Sequence, residues 1–290
     1  MDDNLPPVQA AAFDLPGHAI LAVEGVDAAR FAHAQFMSDV ASLADGHWQW
    51  SGWLTPKGRV IALFALLRFD AGTLWLLLPD AAAMELRDSL QRFVFRSKVT
   101  LKILGDAHVS GAFSVPSIAT DARIAEAEDG AVELDVGTPA SPRTVRIGAA
   151  TAPADSGAAA RWTAFDIEHG LPRLPASQVG QWTPQQLSLD RLNAYSVKKG
   201  CYPGQEIVAR THFLGQAKRG LALFDAASEV DDGGEVRIGE QVLGTVISSA
   251  THGTGCIGLA VLPLERDATS ILRAGNVALR ERRLLEGLAR

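Results

Sequence analysis

KKGCYPGQEIVARTHF, residues 198–213, combines a thiol, two glycines, a proline and a Gln-Glu pair in one short segment. Pro203 fixes its own φ near the helical value and suits the first position of a helix, so we predict that GQEIVARTHF continues as a helix. Cys201 then lies just before a helix N-terminus, where free N–H groups and the helix dipole favour the thiolate. The segment therefore predicts a functional thiol, with a buried structural thiol in a tight turn as the alternative.

The charge around this segment is opposite in sign to that of the whole chain. The chain has 27 Lys and Arg against 33 Asp and Glu, a formal net charge of −6. Residues 191–219 instead contain a single acid, Glu206, and six cations: Arg191, Lys198, Lys199, Arg210, Lys218 and Arg219. Such surroundings would lower the pKa of the Cys201 thiol and attract an anionic ligand.

Composition and the amino-terminal sequence narrow the class of protein. The 290-residue chain is 47% hydrophobic and 21% charged, which is typical of a globular protein with two or three packed units. Residues 1–18 lack the cationic and apolar regions of a signal peptide, and the longest apolar run, 60–67, is too short to span a bilayer. Two cysteines fit a reducing compartment. We therefore expect a cytoplasmic protein with no membrane contact, and the net acidity argues against a general nucleic-acid binder.

The first third of the chain predicts strands and helices in irregular order. A strand at the start is followed by a predicted helix over 26–43, with Asp27 as its N-cap. An aromatic run, a Thr-Pro-Lys-Gly turn and an apolar run together predict a hairpin over 47–69. A second helix is predicted over 80–95, with Asp80 as its N-cap.

The rest of the chain is richer in short strands. Residues 99–145 predict strands separated by Gly, Pro and Asp, and 148–160 has the composition of a linker. A helix is predicted over 161–174. Beyond Gly215, short strands with turns every roughly 8–12 residues predict a small barrel or sandwich. Because no regular βαβ repeat is present, the pattern favours the α+β class.

Two other signals are interpreted as structural. GTGCIG at 253–258 matches a dinucleotide-binding pattern, but an apolar run and Pro263 follow it in place of a helix. We predict a hairpin between barrel strands there, with Cys256 in the core. The seven histidines have no metal-ligand spacing, and His33 and His169 are predicted to be packing or helix-surface residues.

KGCYPGQE, residues 199–206, resembles the signature K-G-C-[FY]-x-G-Q-E of the YgfZ family of folate-binding proteins. This family is related to the glycine-cleavage T-protein, an aminomethyltransferase. The resemblance extends over about residues 18–265 and includes four further pieces: HAQFMSDV at 33–40, WLTPKGRVIA at 53–62, TPQQLSLDRL at 183–192 and GQAKRGL at 215–221. Residues 199–206 are called the signature below.

The resemblance implies a fold with two ferredoxin-like α+β units around a central opening, closed by a C-terminal β-barrel. The expected division is a first unit at 1–97 with 160–215 packing back on it, a second unit at 98–159 and a barrel at 216–290. It also implies binding of tetrahydrofolate or a derivative. The implied role is assembly or repair of iron–sulfur client proteins, with an indirect link to tRNA modification, and we expect a monomer.

Two other functions remain open. T-proteins carry a T-G-Y-T-G-E segment and an N-x-x-K-D segment, which correspond here to 141–148 and 78–88. The first has no Glu, and the second offers only Asp88 as an acid or base, so whether the chain is a folate-dependent transferase or demethylase stays undecided. The second alternative is direct tRNA binding through 191–219 and four tail residues: Arg273, Arg280, Arg282 and Arg283.

A folate ligand needs an apolar slot for its flat pterin and cations for its glutamate tail. By the period of a strand, Trp48 and Trp50 share one face and are a candidate wall, while Trp53 points the other way. Plain core packing is the alternative for these tryptophans, and turn solvation is the alternative for Lys57 and Arg59. The candidate cofactor-binding residues are Trp48, Trp50, Lys57, Arg59, Lys199, Gly200, Tyr202, Gly204, Gln205 and Arg210.

Two signature side chains are candidates for chemistry. As a thiolate, Cys201 could exchange a one-carbon or sulfur species beside the pterin, or it could ligate iron transiently with a partner completing the shell. Glu206 could accept a proton or cap a backbone N–H, and the cap is the favoured role. No metal site of the chain's own is predicted.

Overall fold

The structure is a computed structural model that describes residues 11–215, 217–267 and 270–290. Its strands form two five-stranded antiparallel sheets and one closed six-stranded barrel. The predicted α+β class with ferredoxin-like units and a C-terminal barrel is therefore confirmed. Within these ranges no helix is both long enough and apolar enough to cross a membrane.

The predicted hairpin forms the edge of the first sheet, in which the strand order is β3-β4-β5-β2-β6. The sheet and its helices are β2 (Ala19–Glu24), α1 (Ala28–Gln35), β3 (His47–Leu54), β4 (Val60–Arg68), β5 (Thr73–Leu78), α2 (Ala83–Gln91) and β6 (Thr100–Ile103). Both helices pack on one face of the sheet, where Trp53 also lies. Trp48 and Trp50 lie on the opposite face, as their spacing predicts.

The second sheet has the strand order β1-β7-β10-β9-β8 and is followed by a helix. Its elements are β1 (Phe13–Asp14), β7 (His108–Ala112), β8 (Ala125–Glu126), β9 (Val132–Asp135), β10 (Thr144–Gly148) and α3 (Ser156–Glu168). The Trp48–Trp50 face of the first sheet shares one apolar core with Leu134, Val145 and Trp162. The two sheets therefore enclose a common interior.

The barrel follows a short helix, α4 (Gln205–Phe213). Its strands are β11 (Arg219–Ala226), β12 (Glu235–Ile238), β13 (Gln241–His252), β14 (Gly255–Pro263), β15 (Leu272–Ala274) and β16 (Val277–Arg282). The GTGCIG segment lies at the β13–β14 hairpin, and Cys256 is buried in the barrel core, as predicted.

Two predicted N-caps have other roles. Asp27 stands at the start of α1, but its carboxylate accepts the N–H of Lys98 at 2.8 Å in place of a helix N–H. The helix also ends at Gln35 and not near 43, because the next residues turn to meet the first sheet, where Met37 N donates to Gly52 O. Asp80 lies before the start of α2 and pairs with Arg173 at 2.7 Å.

Two predicted boundaries also differ. The linker-like stretch 148–160 already contains the first turn of α3, because Asp155 caps that helix by accepting the N–H of Ala158 at 2.9 Å. The division after residue 97 separates strands from their partners, since β6 pairs with β2 of the first sheet and β1 pairs with β7 of the second. The second sheet therefore contains a strand from before residue 97, and the first sheet contains a strand from after it, which the predicted division does not include.

Candidate functional site

The signature forms a tight turn that leads into α4. The helix begins at Gln205, so Pro203 lies in the preceding turn and not at the first helical position. Gly204 has a φ of +79°, and a Cβ there would meet Gly58 Cα and Thr55 O at 2.6 Å. This residue must therefore be glycine on two counts, and the signature packs directly against the turn of the β3–β4 hairpin.

Lys199 is buried and has a structural role. Its Nζ donates to the backbone carbonyl of His33 in the last turn of α1 and to those of Phe36 and Ser38 just beyond it. Burial lowers its pKa to about 8, although the Asp39 carboxylate acts in the opposite direction. Because all three N–H groups are used, Lys199 has no donor left for a folate ligand, contrary to the prediction.

Tyr202 and Gln205 likewise hold the turn. The Tyr202 hydroxyl donates to Ser196 O at 3.0 Å, and burial raises its pKa. Gln205 Nε2 donates to Lys199 O at 2.9 Å. Gly200 is exposed and has open space around its Cα. Tyr202 and Gln205, which were predicted to bind the ligand, therefore stabilise the turn.

The exposed part of the signature carries its reactive groups. Cys201 is exposed, and within the described ranges the Glu206 side chain makes no hydrogen bond, so the favoured capping role of Glu206 is not seen. The side chains of Lys198, Arg210 and Lys218 are exposed and form no ion pair with any described residue. The turn therefore presents a thiol, a carboxylate and free cations to solvent.

The other two cations of this region are already engaged. Arg191 donates to His169 O and Leu285 O, and Arg219 donates to Leu243 O. Of the six cations that the sequence places in this region, only Lys198, Arg210 and Lys218 therefore have side chains without a partner among the described residues.

The hairpin residues divide between surface and interior. Arg59 Nη1 donates to Gln181 O at 3.0 Å and to Gln186 Oε1 at 3.1 Å, which ties the hairpin to the segment before the signature. Lys57 is exposed. Trp48 and Trp50 are almost fully buried and lie edge to face, with their ring centroids 5.4 Å apart. Of these four candidate residues, Trp48 and Trp50 face the interior shared by the two sheets.

This interior contains a cavity of about 30 Å³ between the sheets and α3. Its apolar lining is contributed by the first sheet, the second sheet and the helix: Trp50, Ala65, Leu77, Pro79, Val136, Val145, Trp162 and Leu171. Three polar residues complete it: His18, Arg143 and Asp166. Among the described residues, none of the segment 198–213 lines the cavity, so the predicted proximity of Cys201 to a bound pterin is not observed.

The polar residues belong to a buried charge network. Asp166 lies 2.8 Å from Arg143 and 3.5 Å from Arg173, and Arg173 pairs with Asp80 at 2.7 Å. Burial, aided by the positive charge of Arg173, lowers the pKa of His18 to about 4. The imidazole is therefore neutral near pH 7.

Two buried polar atoms of this network have no hydrogen-bond partner among the described residues: His18 Nδ1 and Arg143 Nε. Asp166 Oδ1 is engaged, since it lies 2.8 Å from Arg143 Nη2. The Arg143 guanidinium lies 3.7 Å from the Phe165 ring centroid and 4.1 Å from that of Trp162. Aromatic walls with a few fixed polar atoms suit a flat heteroaromatic ligand. The cavity itself has room for about two water molecules, at about 10–15 Å³ each, so a larger ligand requires side chains or a chain segment to move.

Sequence reasoning missed this network. Its members are single polar residues in apolar surroundings and come from four separate parts of the chain: His18, Asp80, Arg143 and the pair Asp166 and Arg173. The one available signal was Asp166, an acid on the buried side of α3.

The residues proposed for the alternative functions lie elsewhere. Asp88 is on the surface of α2, 61% exposed and paired with Arg87 at 2.6 Å. In the tail, Arg280 and Arg282 pair with Asp225. Asp88 is therefore not a central acid, and of the four tail arginines Arg273 and Arg283 are exposed without an ion pair to a described residue.

No protein-family model matches the sequence. The crystal structure of the glycine cleavage system aminomethyltransferase T from Bartonella henselae matches with a TM-score of 0.73 at 16% sequence identity. The match covers 95% of this chain and 86% of the aminomethyltransferase chain. Because the likeness extends over both sheets and the barrel, the chain has the fold of the glycine-cleavage T-protein.

Proposed function

We propose that the chain is a tetrahydrofolate-binding accessory protein for the assembly or repair of iron–sulfur proteins, with an indirect effect on tRNA modification. The T-protein-like fold and the resemblance of the signature to the YgfZ family support this assignment. The observation that carries it is the aromatic cavity with unpartnered polar atoms between the two sheets.

Four residues would hold the pterin. Trp50 and Trp162 offer apolar walls, the neutral His18 ring offers a hydrogen-bonding nitrogen, and Arg143 Nε offers an N–H donor without a partner among the described residues. Buried polar atoms without partners cost free energy, which a ligand that satisfies them would recover. A reduced folate supplies a carrier for one-carbon units when bound.

Cys201 would act on the outside of the molecule. It is exposed, as are the cations Lys198 and Arg210 of the same segment, and such a surface suits an anionic or acidic partner. One cysteine cannot hold an iron–sulfur cluster, so a client protein would supply the remaining ligands. The proposal therefore separates folate binding in the interior from thiol chemistry at the surface.

Calorimetry with tetrahydrofolate tests the two parts separately. His18→Leu should weaken binding by about fivefold, since it removes a hydrogen bond worth about 1 kcal/mol from the cavity. Cys201→Ala should bind folate as the wild type does, yet fail to restore iron–sulfur enzyme activity in cells that lack the protein. Cys256→Ala, which removes the other thiol, is the matched control and should complement.

Absence of tetrahydrofolate binding by the wild-type chain would overturn the folate assignment. Full complementation by Cys201→Ala would instead overturn the role of the thiol. These outcomes are independent, because Cys201 does not line the cavity.

The two alternatives have less support. A transferase needs an acid or base at the pterin, but Asp88 is on the surface and Asp166 is held between two arginines. Direct tRNA binding would show a gel shift that weakens steeply with salt, and the pairing of Arg280 and Arg282 with acids argues against it. No product from a panel of aminomethyl and N-methyl donors would retire the transferase.

A further inference from the structure

Residues 283–290 run across the opening between the two sheets without forming a helix or strand. Leu285 N donates to Glu168 O at the end of α3 at 2.9 Å. The Leu288 side chain is only 2% exposed and belongs to the apolar core shared by the sheets. The segment is therefore held to the molecule at Leu285 and Leu288, although most of its residues are exposed, and it is called the strap below.

The strap ends in a site built around a guanidinium group. The Arg290 side chain is only 6% exposed, and its guanidinium lies 5.3 Å from the centroid of the Trp48 ring. Its Nη2 donates to Asp135 O at 3.0 Å and to Gly137 O at 2.8 Å. The carboxylates of Asp121 and Asp135 lie 3.7 and 3.8 Å away. An aromatic face, convergent carbonyls and two carboxylates are the groups that recognise a flat cation with several N–H donors.

The strap also contacts one wall residue of the cavity. Trp50 Nε1 donates to Leu288 O at 2.7 Å, and the same indole lines the cavity on the other side. Gly287 has a φ of +102°, and a Cβ there would come within 3.0 Å of Thr138. The backbone of the strap is therefore closely fitted at Gly287, and the strap holds the Trp50 indole that lines the cavity.

We propose that the cleft formed by Trp48, Trp50 and the Asp135–Gly137 backbone is a binding site for flat guanidine-like groups, and that the strap fills it as an intramolecular ligand. The 2-amino-4-oxopyrimidine ring of a pterin contains a planar guanidine unit, which is neutral and, like the arginine side chain, offers neighbouring N–H donors, here a ring N–H and an amino group. A folate entering the interior then competes with the strap, a step that rests on the proposed function. The strap is thus a built-in competitor of the ligand.

The strength of this competition depends on the fraction of molecules in which the strap is bound in the cleft. A tethered segment acts at an effective concentration in the millimolar range, so even a weak contact keeps it bound. The apparent dissociation constant of a competing ligand rises by the reciprocal of the open fraction. A strap that is open about one tenth of the time would weaken folate binding by about tenfold.

The site can be tested without folate. A labelled peptide of residues 284–290, LLEGLAR, should bind a variant lacking those residues and should not bind the full chain. The same peptide with lysine in place of its arginine should bind at least about tenfold more weakly, because lysine cannot make the planar contacts. Failure of the arginine peptide to bind the shortened variant would overturn the proposal.

Full-length variants guard against misfolding of the shortened chain. Gly287→Ala and Arg290→Ala should each raise the rate of hydrogen exchange at residues 284–290, with circular dichroism confirming the fold. Arg290→Lys is the matched charge control and should show part of the same increase. Unchanged exchange in both Gly287→Ala and Arg290→Ala would also overturn the proposal.

Calorimetry with tetrahydrofolate then separates the two proposals. Binding about tenfold tighter to Arg290→Ala than to the wild type supports competition. Equal or weaker binding to Arg290→Ala overturns the strap as a competitor and leaves folate binding intact. If the peptide binds and no form binds tetrahydrofolate, the proposed function fails and the guanidine site stands.

Discussion

The signature and the central cavity differ in how the chain builds them. The signature is one continuous run whose distinctive residues either shape a turn or face solvent, as Lys199 and Cys201 do respectively. The cavity brings together His18, Arg143 and Asp166 from separate parts of the chain and encloses them. The signature, which is contiguous in sequence, thus exposes Cys201 at the surface. The cavity forms only when the fold brings distant residues together.

The largest expected effect lies in the charge network of the cavity. Asp166→Ala leaves the Arg143 guanidinium buried without its partner, so the free energy of unfolding should fall by about 3–5 kcal/mol. Urea denaturation measures this change. The double variant Arg143→Met with Asp166→Leu should recover much of the loss, because it removes both buried charges. If the double variant were as unstable as Asp166→Ala, the loss would come from packing and not from charge.

The pH dependence of stability should also report on the cavity. His18 has a pKa of about 4 in the folded chain, below its ordinary value of 6.5, so the unfolded chain binds the proton more readily between these values. Its contribution is therefore present above pH 6.5 and is lost as the pH falls toward 4, by about 3 kcal/mol in total. Urea midpoints across this range measure the loss, and His18→Leu should flatten the curve. An equally steep curve in that variant would assign the effect to other groups.

Within the signature, glycine should matter more for stability than the charged residues. Gly204→Ala places a Cβ at a φ of +79° and against the hairpin turn, so we expect a loss of about 2–3 kcal/mol. Gly200→Ala is the matched control, since nothing lies within 4 Å of its added Cβ. Thermal unfolding of both variants measures the difference. Equal melting temperatures would contradict the packing role assigned to the turn.

The smallest expected effect is that of the exposed signature residues. Glu206→Ala and Arg210→Ala should each change the free energy of unfolding by less than about 0.5 kcal/mol, because both side chains are exposed and neither forms a hydrogen bond or ion pair with a described residue. Their effect, if any, should appear only in complementation assays with a client protein. A clear loss of stability in either variant would show that the turn depends on them.

The sequence pattern correctly predicted those features that are determined by residues adjacent in the chain. The period of the β3 strand placed Trp48 and Trp50 on one face and Trp53 on the other, which the two cores confirm. The interpretation of GTGCIG as a hairpin rested on the absence of a following helix and is also confirmed. In both cases the deciding residues are adjacent in the chain.

The errors concern residues whose partners are distant. Asp27 and Asp80 have the sequence context of N-caps, yet Lys98 and Arg173 take their carboxylates. Lys199 resembles a surface cation in sequence and is in fact buried against α1. Local propensity could not identify these partners because the fold alone brings them together.

During synthesis β1 leaves the ribosome long before the strand with which it pairs, since Phe13 is opposite Gly111. The chain must complete most of the first sheet while this short strand waits for the second. Pairing over such a separation slows folding. Halves divided after residue 97 would each carry a strand belonging to the other, so neither half should fold when it is produced alone.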